Sequence, residues 1–137
     1  MIRPDLPHGG RGRSAEESVE YLDHAGIPFG SLLIGVSLGG LVGAKLQEDG
    51  RPDLTVICIS SPTWADGVVL RERVENRIAI YSSEDTVITV RTANWPALAR
   101  KTYDLPWLSR STDEHLDRLA PALASWLNCS ELFFPTD

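Results

Sequence analysis

Three residues in this chain could together carry out chemistry at a carbonyl carbon: Ser37, Asp85 and His115, in that order. A serine hydroxyl is a poor nucleophile until a base removes its proton. An imidazole does that, and a carboxylate fixes the imidazole tautomer and steadies the imidazolium. Ser37 lies in the run SLLIGVSLGG, residues 31–40, where an apolar stretch ends in a hydroxyl between two glycines. Gly35 and Gly39 are expected to permit a tight strand–turn–helix. That turn would push the Ser37 side chain outward and present the Leu38 amide to a developing oxyanion. Each residue also has a plainer use. Ser37 fits an incidental place in a turn, Asp85 a helix cap, with Glu84 as a substitute acid, and His115 a solvated first helical turn.

The elements that must position these residues alternate along the chain. Ser14-Ala-Glu-Glu17 reads as a capping box; Ala15, Val19 and Leu22 mark a helical face, and Gly26 stops it. Residues 31–34 read as a short buried strand. Leu38, Leu41, Val42 and Leu46 recur at helical spacing up to Gly50. Residues 54–60 (LTVICIS) and 77–82 (RIAIYS) read as buried strands. A helical segment is expected between Thr89 and Arg100, with Pro96 opening or kinking a turn. Residues 101–107 read as a weaker fourth strand. Leu116, Leu119, Leu123, Trp126 and Leu127 line a final helix that starts near Asp113. Continuous apolar strands separated by helices predict an α/β three-layer sandwich with a short, mostly parallel sheet, forming one domain over residues 1–137. Sites in such folds gather at the carboxyl ends of the strands. That rule selects Ser37, the loop from Ser61 to Trp64, Asp85 and His115.

Composition narrows the function. Thirteen Lys and Arg against nineteen Asp and Glu give a net charge of −6, which argues against a nucleic-acid or anionic-membrane surface. No apolar run reaches the ~18 residues of a membrane span, and the N-terminus lacks the apolar middle of a signal peptide, so a cytoplasmic location is expected. Cys58 and Cys129 form no C-x-x-C, and His8, His24 and His115 lack metal-ligand spacing, so free thiols and no metal are expected. Residues 39–45 (GGLVGAK) fail as a phosphate loop, because Lys45 lacks the preceding glycine and Leu46 stands where Ser or Thr is needed. No cofactor is implied. Trp64, Trp95 and Trp107 fit either an acyl pocket or core packing.

The Gly35-Val-Ser37-Leu-Gly39-Gly40 turn, between a strand and an amphipathic helix, resembles the nucleophile elbow of the α/β-hydrolases. Ser83-Glu-Asp85-Thr-Val-Ile resembles that family's acid loop, and His115 follows the last strand as the family's histidine does. Residues 3–12 (RPDLPHGGRG) resemble a loop that leads into a helix before the elbow strand. The resemblance covers nearly the whole chain and is nearest to small, lidless bacterial serine hydrolases. It implies an esterase-like reaction on a small acyl substrate, with Ser37 as nucleophile, His115 as base, Asp85 as orienting acid and Leu38 as oxyanion donor.

Two departures accompany the resemblance. The family has further strands before this point, one followed by a His-Gly loop that donates the second oxyanion amide. The chain therefore looks truncated at its front, as a shortened form of a longer hydrolase would be. His8-Gly9-Gly10 resembles such a donor loop, although its place before the capped helix fits the later loop better; Gly9, Gly10 and Trp64 stand as candidate substrate contacts. The short interval from Ser37 to Asp85 leaves no room for a lid, so an open site is expected. A shortened parallel sheet also leaves a bare hydrophobic edge, from which a homodimer is expected. The alternative is an inert α/β-hydrolase remnant that binds a ligand or a protein.

Overall fold

Residues 55–59 (TVICI) are β-branched or small and apolar throughout, which suits a strand covered on both faces. A computed structural model describes residues 15–65, 67–88, 94–108, 112–129, 132 and 134, with the side chains of 112–116 and 129 outside that set. In it, this strand, β2 (Thr55–Ile59), lies inside a four-stranded sheet with β1 (Leu32–Val36), β5 (Val74–Tyr81) and β6 (Ala99–Asp104), in the order β1-β2-β5-β6. All three pairings are parallel. A small antiparallel hairpin, β3 (Trp64–Ala65) with β4 (Val68–Val69), follows β2.

Strand alternation assigns the two faces. Leu54, Val56, Cys58 and Ala79 bury one face under α1 (Ala15–Asp23), α2 (Leu38–Asp49) and α3 (Trp95–Leu98). Ile57, Ile59, Ile78 and Ile80 bury the other, where Leu119, Leu123 and Trp126 of α4 (Thr112–Cys129) pack. The result is helix–sheet–helix layering around parallel strands.

Several expected elements shift. β1 runs over Leu32–Val36 and is not a buried strand: none of its residues is fully covered, and Ile34 is 45% exposed. Among the described residues nothing pairs with its outer side, so its apolar residues lie at an edge. β5 begins at Val74, three residues before the apolar run, because Val74 already pairs with Ala99 of β6, ahead of a register shift before Ile78. The helix expected over 89–100 is four residues long, with Pro96 in its first turn. The last strand stops at Asp104, since Pro106 has no amide to extend a ladder and instead opens a 3-10 turn over Pro106–Leu108. The capping serine, Ser14, lies outside the described residues.

A buried guanidinium ties the layers together. Arg77 is fully buried. Its Nε donates to Gln47 Oε1 at 3.0 Å, and its Nη atoms donate to the carbonyls of Glu72, Leu98 and Ala44 at 2.8, 3.0 and 2.9 Å. Gln47 in turn donates to the carbonyls of Leu54 and Asn76. Burial lowers the Arg77 pKa, and the acceptors around it are neutral. Glu48 closes the adjoining loop by accepting the Arg71 and Glu72 amides at 2.9 and 2.8 Å. Burial works to raise its carboxyl pKa, but those amides and Lys45 outweigh it and hold the carboxyl ionised. Lys45 also pairs with Asp49 at 3.1 Å, a structural role rather than a phosphate-binding one.

Candidate functional site

Ser37 is the first residue past β1 and the N-cap position of α2. Its backbone sits at φ 54° and ψ −127°, where non-glycine residues are rare and cost about 1–3 kcal/mol. A serine at an N-cap ordinarily accepts an amide of the first turn. Ser37 makes no such side-chain bond, and the residue is exposed. The hydroxyl is therefore presented rather than spent on capping. The Leu38 amide, at the first helical position, has no acceptor within the helix, and the positive end of the α2 dipole lies beside it.

The local packing enforces this turn. The Ser37 N–H donates to Ile59 O at 2.8 Å, fastening it to the end of β2, and the Gly40 N–H donates to Ser37 O at 3.1 Å. A Cβ on Gly35 would stand 2.4 Å from Gly40 N. One on Gly40 would stand 2.1 Å from Ser61 Oγ and 3.0 Å from Gly35 O. Strand and helix thus meet backbone to backbone at these two glycines. The expectation for Gly39 is corrected: a Cβ there meets nothing within 4 Å, and Gly40 is the residue the close approach requires.

Sequence reasoning marked the Ser61–Trp64 loop only by position. The structure shows what its first residue does. The fully buried Ser61 donates from Oγ to Ile59 O at 3.1 Å, the same carbonyl that holds Ser37. Its own carbonyl accepts Trp95 Nε1 at 2.8 Å. Ser60, next to it, is the other non-glycine residue with positive φ among the described residues, at 49°. Both strained serines are the first residues past neighbouring strands. The primary signal offers nothing for either role, because each depends on an approach between β1, α2 and β2.

Asp85 lies beyond the carboxyl end of β5, at the same end of the sheet as Ser37. β2 lies between the two strands, so their axes are about 10 Å apart. Asp85 Oδ1 accepts the Val87 and Ile88 amides at 2.8 and 3.0 Å. This is the capping pattern expected of an aspartate here, although no helix follows within the described residues. It fixes one carboxylate oxygen and leaves Oδ2 without a hydrogen bond among the described residues. The loop is braced twice more: the Ser83 N–H donates to Asp104 Oδ1 at 2.9 Å, and the Glu84 N–H to Ser82 Oγ at 3.1 Å. Glu84 is exposed.

His115 lies in the first turn of α4, the helix that follows β6; its side chain is outside the described residues, as are Gly9 and Gly10. Among the three tryptophans, Trp95 is core, 1% exposed, and Trp107 packs in the α4 layer with the Arg118 guanidinium 4.0 Å from its ring centroid. Trp64, on β3, is 51% exposed. Cys58 is buried against α2, and burial pushes its thiol up to about 12, with Arg77 pulling weakly the other way. That excludes it as a nucleophile at neutral pH. Among the described residues no cluster of His, Cys, Asp and Glu suits a metal ion, and no helix is long and apolar enough to cross a membrane.

No family model, curated protein or solved structure matches the chain.

Proposed function

We propose that the chain is a small serine hydrolase of the α/β-hydrolase kind, esterase-like, acting on a small acyl substrate without a metal or organic cofactor. The observation that carries this reading is Ser37 itself: a non-glycine residue at φ 54°, exposed, on a strand-to-helix turn, with its hydroxyl not used as a cap. The Ser37 Oγ bonds to the substrate carbonyl carbon as its proton passes to His115. Asp85 holds the imidazole tautomer, and the Leu38 N–H donates a hydrogen bond to the developing oxyanion. The bond to the leaving oxygen then breaks, and that oxygen takes the proton from His115. Water repeats the sequence on the acyl-serine, releasing the acid and restoring the hydroxyl.

The test is hydrolysis of short activated esters. Ser37→Ala is expected to lower turnover by about 10⁴-fold or more, with its circular dichroism unchanged. Equal activity in the mutant would end this reading. A second reading has its own observation. β1 forms the edge of the described sheet, where the resemblance puts further strands and a second oxyanion donor. A cytoplasmic α/β-hydrolase remnant that binds a ligand or a protein fits that edge, and it predicts a folded protein with no turnover in either form.

A further inference from the structure

Ser60 follows β2 as Ser37 follows β1, and the two serines are side by side. Val36 and Ile59 are partners in the parallel ladder, so Ser37 and Ser60 are the next pair along it. Their amides carry the ladder on: the Ser37 N–H donates to Ile59 O and the Ser60 N–H to Ile80 O, each at 2.8 Å. At the usual strand spacing the two backbones run about 5 Å apart here. Both residues have positive φ, 54° and 49°. Elsewhere the chain takes that region with glycine, at Gly26, Gly30 and Gly67, where there is no Cβ to strain. At the ends of β1 and β2 it holds a serine there instead. Strain of this kind gathers at functional sites.

The two serines differ in exposure. Ser37 is exposed, whereas Ser60 is 6% exposed. Strand β2 lies between β1 and β5, so Ser60 stands between the Ser37 turn and the strand that leads to Asp85. A base that takes the Ser37 proton while Asp85 orients it spans that same interval. A hydroxyl both donates and accepts, and its hydrogen bonds strengthen where water is excluded. A glycine would fit the backbone better but carries no hydroxyl. We infer that Ser60 is a positioning residue of this site, whose hydroxyl holds the base in line between Ser37 and Asp85. The inference rests on the hydrolase reading. Ser60 acts through the base, so its loss slows proton transfer and leaves substrate binding alone.

Two variants separate this role from a structural one. Ser60→Ala removes the hydroxyl and keeps the strain. Ser60→Gly removes both, so its urea midpoint is expected above that of Ser60→Ala. In hydrolysis of short activated esters, both are expected to lose about 10- to 100-fold in kcat, with KM and circular dichroism unchanged. Wild-type kcat in either variant would overturn the inference. So would a loss in Ser60→Ala that Ser60→Gly recovers, because activity would then follow the strain and not the hydroxyl. Fluorophosphonate labelling of the wild type keeps two failures apart. An active, labelled wild type with equally active variants refutes the role of Ser60 alone. A wild type that neither labels nor hydrolyses refutes the hydrolase reading, and this inference with it.

Discussion

Ser37 stands in a conformation that costs it stability, and the residues that hold it there are identifiable. The Ile59 carbonyl accepts both the Ser37 amide and the Ser61 hydroxyl, while Gly35 and Gly40 let strand and helix touch. Gly40→Ala is expected to destabilise the fold by about 1–3 kcal/mol, the usual cost of overpacking. Adding Ser61→Ala should recover only part of it, because Ser61 Cβ and Gly35 O both remain at 3.0 Å. Ser61→Ala alone should cost about 1 kcal/mol yet slow acylation of Ser37, with KM unchanged. Urea denaturation of the single and double variants reads the stability changes, and single-turnover acylation of Ser61→Ala reads the rate. At this scale the sequence was readable in part. The hydroxyl flanked by glycines announced the turn. Which glycine mattered was not readable, since Gly39 and Gly40 differ only in what lies opposite them across the fold.

At the scale of elements, one polar device holds the parallel sheet to α2 and another ties together the approaches to its first two strands. Arg77 joins α2, β5, the loop before β5 and the end of α3 through one buried guanidinium. Arg77→Ala leaves Gln47 Oε1 and the Ala44 and Leu98 carbonyls short of a donor in the interior. It is expected to cost about 1–3 kcal/mol for each acceptor left unsatisfied, read in urea denaturation, and Arg77→Lys should not restore it, because an ammonium lacks the fork. At the amino end of the strands, away from the site, Asp53 binds Arg51 at 2.9 Å and accepts the Gly30 N–H at 2.8 Å, tying the approach to β1 to the approach to β2. Arg51 and the Gly30 amide hold its carboxyl at about 2, below the ordinary ~3.9. A depressed carboxyl contributes stability that is present above its unfolded pKa and lost as pH falls through the folded one. The contribution should therefore vanish between about pH 4 and pH 2. Thermal melts across that window should fall less steeply for Asp53→Asn than for wild type.

The elements themselves were unevenly legible. β2 and the apolar part of β5 announce themselves through β-branched runs, and α2 through its spacing. The β3–β4 hairpin lies beyond the reading of residues 61–64 as a loop, although Asp66-Gly67 between Trp64-Ala65 and Val68-Val69 is a recognised turn signal. The short α3 and the early end of β6 follow from Pro96 and Pro106, whose lost amides outweigh the apolar pattern around them.

Over the whole molecule, the parallel strands bring Ser37 and Asp85 to one end of the sheet, with the histidine-bearing helix following its last strand. That arrangement could be anticipated because alternating apolar strands and helices admit few topologies. The exposure of β1 could be anticipated only through the strands the resemblance leaves out ahead of it, since an apolar strand by itself reads alike whether it has one neighbour or two. We propose that these separate loops activate one hydroxyl. Intact-mass analysis after exposure to a fluorophosphonate tests it most directly, because phosphonylation needs an activated serine but no knowledge of the substrate. One adduct per chain is expected on the wild type and none on Ser37→Ala. A folded wild type that takes up no adduct, or an adduct that persists in Ser37→Ala, would contradict it.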